Sequence, residues 1–165
     1  MANEIIGNLD GQNLRIGVIV SQFNETITAR LLKGAREAAD SHGIKEENIT
    51  IVFVPGSFEL PAAASKMLET SNWDAVVALG CVIRGETPHF DLVASESARG
   101  ISEVSRKIGK PVIFGVLTTN NMDQALARSG GFAGNKGFDS MSTAIKMVGV
   151  FDGIEKFTNI NGAAE

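Results

Sequence analysis

The chain collects its apolar residues in four short, nearly uninterrupted runs. These are residues 14–20 (LRIGVIV), 49–54 (ITIVFV), 75–83 (AVVALGCVI) and 111–117 (PVIFGVL), all rich in Val and Ile. Runs of this length without alternating polar positions are typical of strands that are buried on both faces of a sheet. We therefore predict four buried strands at these positions.

The segments between the runs have apolar residues at helical spacing. The spacing predicts one helix that carries Ile27 to Ala39 and ends at Gly43, a shorter helix over about 58–70, and a third that carries Val93 to Ile108 and ends at Gly109. After the fourth run it predicts a short helix near 122–129, a glycine-rich break (SGGFAGNKG) and a last helix over about 136–150.

Strand and helix alternate four times, which predicts an α/β fold: a three-layer sandwich in which a four-stranded parallel sheet, of the flavodoxin-like type, is flanked by helices on both faces. At 165 residues, 44% of them hydrophobic, the chain is long enough for one core. We predict a single domain over 1–165, with an N-terminal extension (1–13) and a C-terminal tail (151–165).

Open parallel sheets bind ligands beyond the carboxyl ends of their strands, and the four segments at those ends are polar. They read SQFNE, PGSFELP, RGETPHF and TTNN. Phe23 and Phe58 in these segments are candidates to stack on a heterocycle, although packing of a loop explains them equally well. Glu59 could accept hydrogen bonds from a sugar-like chain or simply face water.

The two histidines lie in different contexts. His42 precedes Gly43 at the end of a helix, which favours a structural role near the free carbonyls. His89 follows Pro88 at the start of a helix, where the positive end of the dipole favours the neutral ring that can accept a proton. Closing a turn is an equally good explanation of His89 at this point.

The polar turn before His89 also suggests an anion site. Amides from Gly85 through Thr87 at the start of that helix favour an anion such as phosphate, although many helix starts bind nothing. Arg84 is expected to pair with a carboxylate within the fold rather than with a substrate.

Several functional classes do not fit the composition. A net charge of −4 with scattered basic residues argues against nucleic acid and anionic membranes as partners. The segment GGFAGNKG lacks the Ser or Thr of a phosphate-binding P-loop, and a G-x-G-x-x-G pattern is absent. Two distant histidines and the lone Cys81, expected to fill space within a strand, predict no metal site. The single cysteine and the absence of a leader predict a cytoplasmic protein.

Five segments together resemble the lumazine synthase family. SQFNETIT, VPGSFELP, LGCVIRGETPHFDLV, VIFGVLTT and GNKGFD occur in the family's order and spacing, and the resemblance covers residues 14–149. It implies a transferase of riboflavin biosynthesis that condenses 5-amino-6-ribitylaminouracil with 3,4-dihydroxy-2-butanone 4-phosphate. The implied products are 6,7-dimethyl-8-ribityllumazine, phosphate and water, and no metal or organic cofactor is implied.

The resemblance also implies roles for particular residues. Phe23 would stack on the pyrimidine, Glu59 would bind ribityl hydroxyls, His89 would transfer protons and Arg128 would clamp the phosphate. The implied catalytic residues are His89 and Arg128. The implied substrate-binding residues are Phe23, Asn24, Gly56, Ser57, Phe58, Glu59, Val82, Ile83, Gly85, Glu86, Thr87, Phe114 and Lys136.

In the resembled family a neighbouring subunit completes the site, which would place Phe114, Arg128 and Lys136 opposite the other residues. A homopentamer is implied, an icosahedral shell of sixty subunits is left open, and residues 3–9 could add a strand to a neighbour's sheet. Ser57, Leu92 and Phe132 depart from the family's usual residues. A flavin- or lumazine-binding paralogue without turnover, a shell protein with a vestigial pocket and an archaeal-type riboflavin synthase remain alternatives.

Overall fold

The structure is a computed structural model that describes residues 1–162, with side chains described through residue 160. The main sheet contains β1 (Ile16–Ser21), β2 (Ile49–Val54), β3 (Ala75–Ile83) and β4 (Val112–Thr119). The helices are α1 (Glu25–Ser41), α2 (Leu60–Thr70), α3 (His89–Ile108), α4 (Met122–Arg128) and α5 (Lys136–Gly162). A small antiparallel hairpin of β5 (Ser129–Gly131) and β6 (Gly134–Asn135) joins α4 to α5.

The four strands are all parallel and lie in the order β2-β1-β3-β4. Helices α1 and α5 pack on one face of this sheet, and α2 and α3 pack on the other. Successive side chains of a strand point to opposite faces, so Val18 and Val20 join the core under α1 and α5, whereas Ile19 joins the core under α2 and α3. The predicted α/β sandwich is confirmed.

Burial differs between the central and the edge strands. All six residues of β1 are buried, and so are all of β3 except its last residue. In β2, by contrast, Thr50 and Phe53 are exposed, and β4 is buried only in part. The prediction of burial on both faces is therefore wrong for β2 and β4, which form the edges of the sheet. A run rich in Val and Ile indicates a strand, but it does not indicate whether that strand lies at the centre or at the edge of the sheet.

The helix ends agree with the glycine signals. Gly43 and Gly109 have φ angles of 82° and 72°, in the left-handed region that allows a chain to leave a helix without strain. The start of the second helix is less regular than predicted, because Ser57–Glu59 form a separate turn of 3-10 helix ahead of α2.

The last helix is longer than predicted. It continues to Gly162, so residues 151–162 are helical where a tail was predicted, and residues 163–165 lie outside the described part. Gly149 and Gly153 weaken the helical signal in the sequence. In the structure these two glycines lie against Gly7 and Ile5 of the N-terminal extension, which runs along α5 of its own chain.

The glycine-rich segment is also more ordered than a break. It forms the hairpin of β5 and β6, and the amide of Ala133 donates to the carbonyl of Ala127 over 3.0 Å. Phe132 lies at the tip of this hairpin with 96% of its surface exposed. The hairpin therefore fixes how α4 is connected to α5.

Candidate functional site

A cavity of about 730 Å³ opens beyond the carboxyl ends of β1, β2 and β3. Its size is that of a pocket for a small organic ligand. The lining residues come from four separate segments, which are the loop after β1, the turn after β2, the end of β3 and the start of α3. They are Phe23, Pro55, Gly56, Ser57, Phe58, Glu59, Cys81, Val82, Ile83, Gly85, Thr87, His89, Phe90, Leu92 and Val93. We call this the ring cavity.

The loop that carries Phe23 is held by hydrogen bonds to both neighbouring strand ends. The amide of Phe23 donates to the carbonyl of Pro55 over 3.0 Å, continuing the pairing of β1 with β2. Asn24 begins α1 in a left-handed conformation with φ of 59°, and its Nδ2 donates to the carbonyl of Cys81 over 2.9 Å. Phe23 itself is 72% exposed. A rigid loop thus presents an apolar ring to the cavity.

The turn after β2 presents an aromatic ring and a carboxylate side by side. Ser57, Phe58 and Glu59 form one turn of 3-10 helix, and the amide of Glu59 donates to the carbonyl of Gly56 over 3.2 Å. A Cβ atom added to Gly56 would lie 3.1 Å from Oε2 of Glu59, so the carboxylate folds back over this glycine. The Ser57 side chain is buried against Gly80 of β3, whereas Phe58 is exposed.

His89 is the first residue of α3 and is exposed at the cavity. The turn before it is braced by Arg84, whose guanidinium pairs with Asp91 at 3.3 Å and stacks 4.2 Å above the Phe90 ring. The predicted carboxylate partner of Arg84 is confirmed. Gly85 and Thr87 line the cavity, but they lie in the turn ahead of α3, so their placement within the helix start is wrong.

A second, smaller cavity of about 290 Å³ lies at the other edge of the sheet. Its lining includes the second half of β4, with Arg128 and Lys136 at the two ends of the hairpin. Asp139 lines it as well, so two cations face one carboxylate. We call this the basic cavity. No residue lines both cavities.

The structure therefore gathers most of the predicted site but not all of it in one place. Ten of the predicted residues share the ring cavity, while Arg128 and Lys136 share the basic cavity. Asn24, Glu86 and Phe114 line neither cavity; Phe114 is half-buried beside the core under α2 and α3.

Sequence reasoning missed five residues of the ring cavity. Pro55 and Cys81 adjoin predicted site residues at strand ends, so their position in the sequence could have identified them. Phe90, Leu92 and Val93 belong to the first turns of α3, where helical spacing indicates only a core-facing stripe. Leu92 is 64% exposed and lines the cavity, so the first turns of α3 face the cavity as well as the core.

The remaining candidates have structural positions. His42 ends α1, and its Nε2 lies 3.3 Å from the hydroxyl of Ser142 on α5. This contact is consistent with the predicted structural role. Within residues 1–162 we find no cluster of three or more side chains suited to hold a metal ion. No helix in that range is long and apolar enough to cross a membrane.

Cys81 is an apolar wall of the ring cavity rather than a reactive thiol. It is 2% exposed, and burial raises the pKa of its thiol from 9.0 to about 11. The thiolate is the reactive form, so its fraction at pH 8 should be about 100-fold lower than in the unfolded chain.

We therefore expect iodoacetamide to alkylate Cys81 in the folded protein at least ~100-fold more slowly than in urea at the same pH. Mass spectrometry of samples quenched at intervals measures both rates. Equal rates in the folded and unfolded protein would show that the thiol is neither buried nor shifted.

A cavity beyond the strand ends of a parallel α/β sheet is the usual place of a small-molecule site in proteins of this fold class. A family model described as 6,7-dimethyl-8-ribityllumazine synthase matches residues 13–152 of the chain. The protein belongs to this family, which is one of transferases of riboflavin biosynthesis. The match confirms the resemblance seen in the sequence and spans both cavities.

Proposed function

We propose that the protein condenses 5-amino-6-ribitylaminouracil with 3,4-dihydroxy-2-butanone 4-phosphate to give 6,7-dimethyl-8-ribityllumazine, phosphate and water. The observation that carries this proposal is the composition of the ring cavity. It combines two exposed phenyl rings, one carboxylate and His89 around one opening, and it lies within the matched family region.

The pyrimidine ring and its ribityl chain fit different parts of this cavity. Phe23 offers a flat apolar surface on which a heterocycle stacks. Glu59 offers carboxylate oxygens to sugar hydroxyls, and such charge-assisted hydrogen bonds are stronger than neutral ones. The lining near Val82 and Ile83 is apolar and suits contact with the ring.

His89 acts as the proton-transfer group. The 5-amino group of the pyrimidine attacks the carbonyl of the butanone, and one water leaves as the imine forms. Phosphate leaves in a later elimination, and a second water leaves when the ribitylamino nitrogen attacks the remaining carbonyl and closes the second ring. Each of these steps moves a proton, and an exposed imidazole beside the cavity is suited to accept and return it. Holding both substrates in register supplies much of the remaining acceleration.

The site is completed by the basic cavity of an adjacent subunit. In one chain the ring cavity and the basic cavity have no lining residue in common: the first is lined by the end of β3 and the loops after β1 and β2, the second by β4 and the ends of the hairpin. Arg128 and Lys136 would then hold the phosphate from across a subunit interface, with Phe114 of that subunit beside the ring. A homopentamer provides this arrangement five times, and pentamers assemble further if a shell forms.

The proposal is tested by mixing the purified full chain with both substrates and following the lumazine by absorbance and fluorescence. The slow uncatalysed condensation is subtracted. We expect a rate that saturates with each substrate and lies above this background. Tight lumazine or flavin binding without turnover would instead indicate a non-catalytic binding protein, and consumption of added lumazine would indicate a riboflavin synthase. A large particle without turnover would indicate a shell protein.

A further inference from the structure

The hairpin that lies between the two cations of the basic cavity is tied to α1 at both of its ends. Nε of Arg30 on α1 donates to the carbonyl of Ser129 over 3.0 Å, and Ser129 directly follows Arg128. Nδ2 of Asn135 donates over 3.0 Å to the carbonyl of Arg30, and Asn135 directly precedes Lys136. One residue of α1 thus contacts the neighbour of each cation. We call Arg30, Ser129 and Asn135 the α1–hairpin clamp.

The side chain of Asn135 also caps the start of α5. Its Oδ1 accepts hydrogen bonds from the amides of Gly137 at 2.8 Å and Phe138 at 3.3 Å. These are donors that a helix start would otherwise offer to an anion. Since Asn135 occupies them, binding of an anion in the basic cavity depends on the side chains of Arg128 and Lys136.

The clamp requires close contact between α1 and the hairpin. Gly34 lies one turn after Arg30, and a Cβ atom there would collide with the Asn135 side chain. Ser129 is 1% exposed whereas Arg30 is exposed, so the hydrogen bond between them is partly buried. A hydrogen bond in such a place contributes more than one on the open surface.

Arg128 itself has little else to hold it. Among residues 1–162, its guanidinium has one hydrogen bond, from Nη1 to the carbonyl of Gln124 at 3.1 Å on the preceding turn of α4. Its side chain is exposed. The direction in which Arg128 faces the basic cavity therefore depends on the backbone at Ser129, which the clamp fixes.

We propose that Arg30 and Asn135 are positioning residues that set the affinity of the basic cavity for a phosphate group by holding Arg128 and Lys136 at a fixed separation. The use of that cavity for the phosphorylated substrate rests on the proposed function. Binding of a phosphate group as such does not, so the two can fail separately.

A pair of substitutions separates the hydrogen bond of Arg30 from its charge. In Arg30→Gln, the amide nitrogen Nε2 occupies about the place of the arginine Nε and can donate to Ser129. In Arg30→Met, a methyl group occupies that place and donates nothing. Lys33→Met is the matched control, because Lys33 is an exposed cation on the same helix that pairs only weakly with Glu37, at 3.9 Å.

The measurement is calorimetric titration of the assembled protein with inorganic phosphate, followed by KM for each substrate. We expect Arg30→Met to weaken phosphate binding and raise KM for the phosphorylated substrate by roughly two- to tenfold, the effect of losing one hydrogen bond. KM for the pyrimidine should stay within about twofold, since the ring cavity is untouched. Arg30→Gln should recover most of the loss, and Lys33→Met should behave as the unmodified protein.

Three results would overturn the inference: no phosphate binding by the unmodified protein, unchanged phosphate affinity in a folded Arg30→Met variant, or equal loss in the Gln and Met variants. Asn135→Ser is the second variant if Arg30→Met does not assemble. Serine can still accept at the start of α5 but is too short to reach the carbonyl of Arg30, so the same weakening is expected. Retained phosphate binding and clamp effects without turnover would refute the proposed function alone.

Discussion

Replacing Arg128 by alanine is expected to lower kcat/KM for the phosphorylated butanone by roughly 100- to 1000-fold. The guanidinium is the proposed partner of the phosphate, both in the bound substrate and as phosphate leaves. Its planar set of donors matches phosphate oxygens in a way that one lysine cannot reproduce. Lys136 and Asp139 remain in the basic cavity after the change, so the residual charge there is close to zero.

Initial rates at varied butanone phosphate and saturating pyrimidine measure this effect. Arg99→Ala is the control, because Arg99 is an exposed arginine on α3 that pairs with Glu96 at 2.9 Å and lines neither cavity. Arg128→Lys should fall between the alanine variant and the unmodified protein. A kcat/KM that is unchanged in Arg128→Ala would remove this residue from the phosphate site.

Replacing His89 by alanine is expected to slow lumazine formation by roughly ten- to a few hundred-fold without abolishing it. A positioned proton-transfer group typically contributes ~10² to 10⁴ to the rate, and water that enters the vacated space replaces part of it. The substrates are still held by Phe23, Glu59 and the basic cavity, so kcat should fall more than KM changes. Single-turnover rates across a range of pH measure the chemical step directly.

His42→Ala is the matched control for this experiment. His42 is the other histidine of the chain, and its ring contacts Ser142 and Phe138 between α1 and α5 rather than a cavity. Its loss should lower the free energy of unfolding by about 1 kcal/mol and leave the rate unchanged. Should the two alanine variants slow the reaction equally, the effect of His89 would be structural rather than chemical.

The sequence predicted strand burial and helix ends correctly where the residues of the segment itself determine them. The central strands β1 and β3 are as buried as their Val- and Ile-rich runs indicate, and Gly43 and Gly109 end their helices as expected. The burial of β2 was wrong because strand order depends on contacts between distant segments. The length of α5 was wrong because Gly149 and Gly153 weaken a helix locally, while the N-terminal extension that packs on them is far away in sequence.

The site residues that could be predicted from the sequence are those located just after the ends of strands. Phe23, Phe58 and His89 each come soon after the end of a strand, and the sheet brings these ends to one opening. The clamp was beyond sequence reasoning, since Arg30 and Asn135 are 105 residues apart and neither type nor spacing links them. Arg128 gave only the signal of a cation at a helix end, which many surface arginines share.

Catalysis at the proposed site is tested most directly by comparing the unmodified protein with the double variant His89→Ala, Arg128→Ala in one condensation assay. Both samples are matched in subunit concentration and in assembly state, and the uncatalysed reaction runs beside them. We expect saturable lumazine formation by the unmodified protein and a rate close to background for the double variant. Background rate in the folded, assembled unmodified protein, or full activity in the double variant, would contradict this expectation.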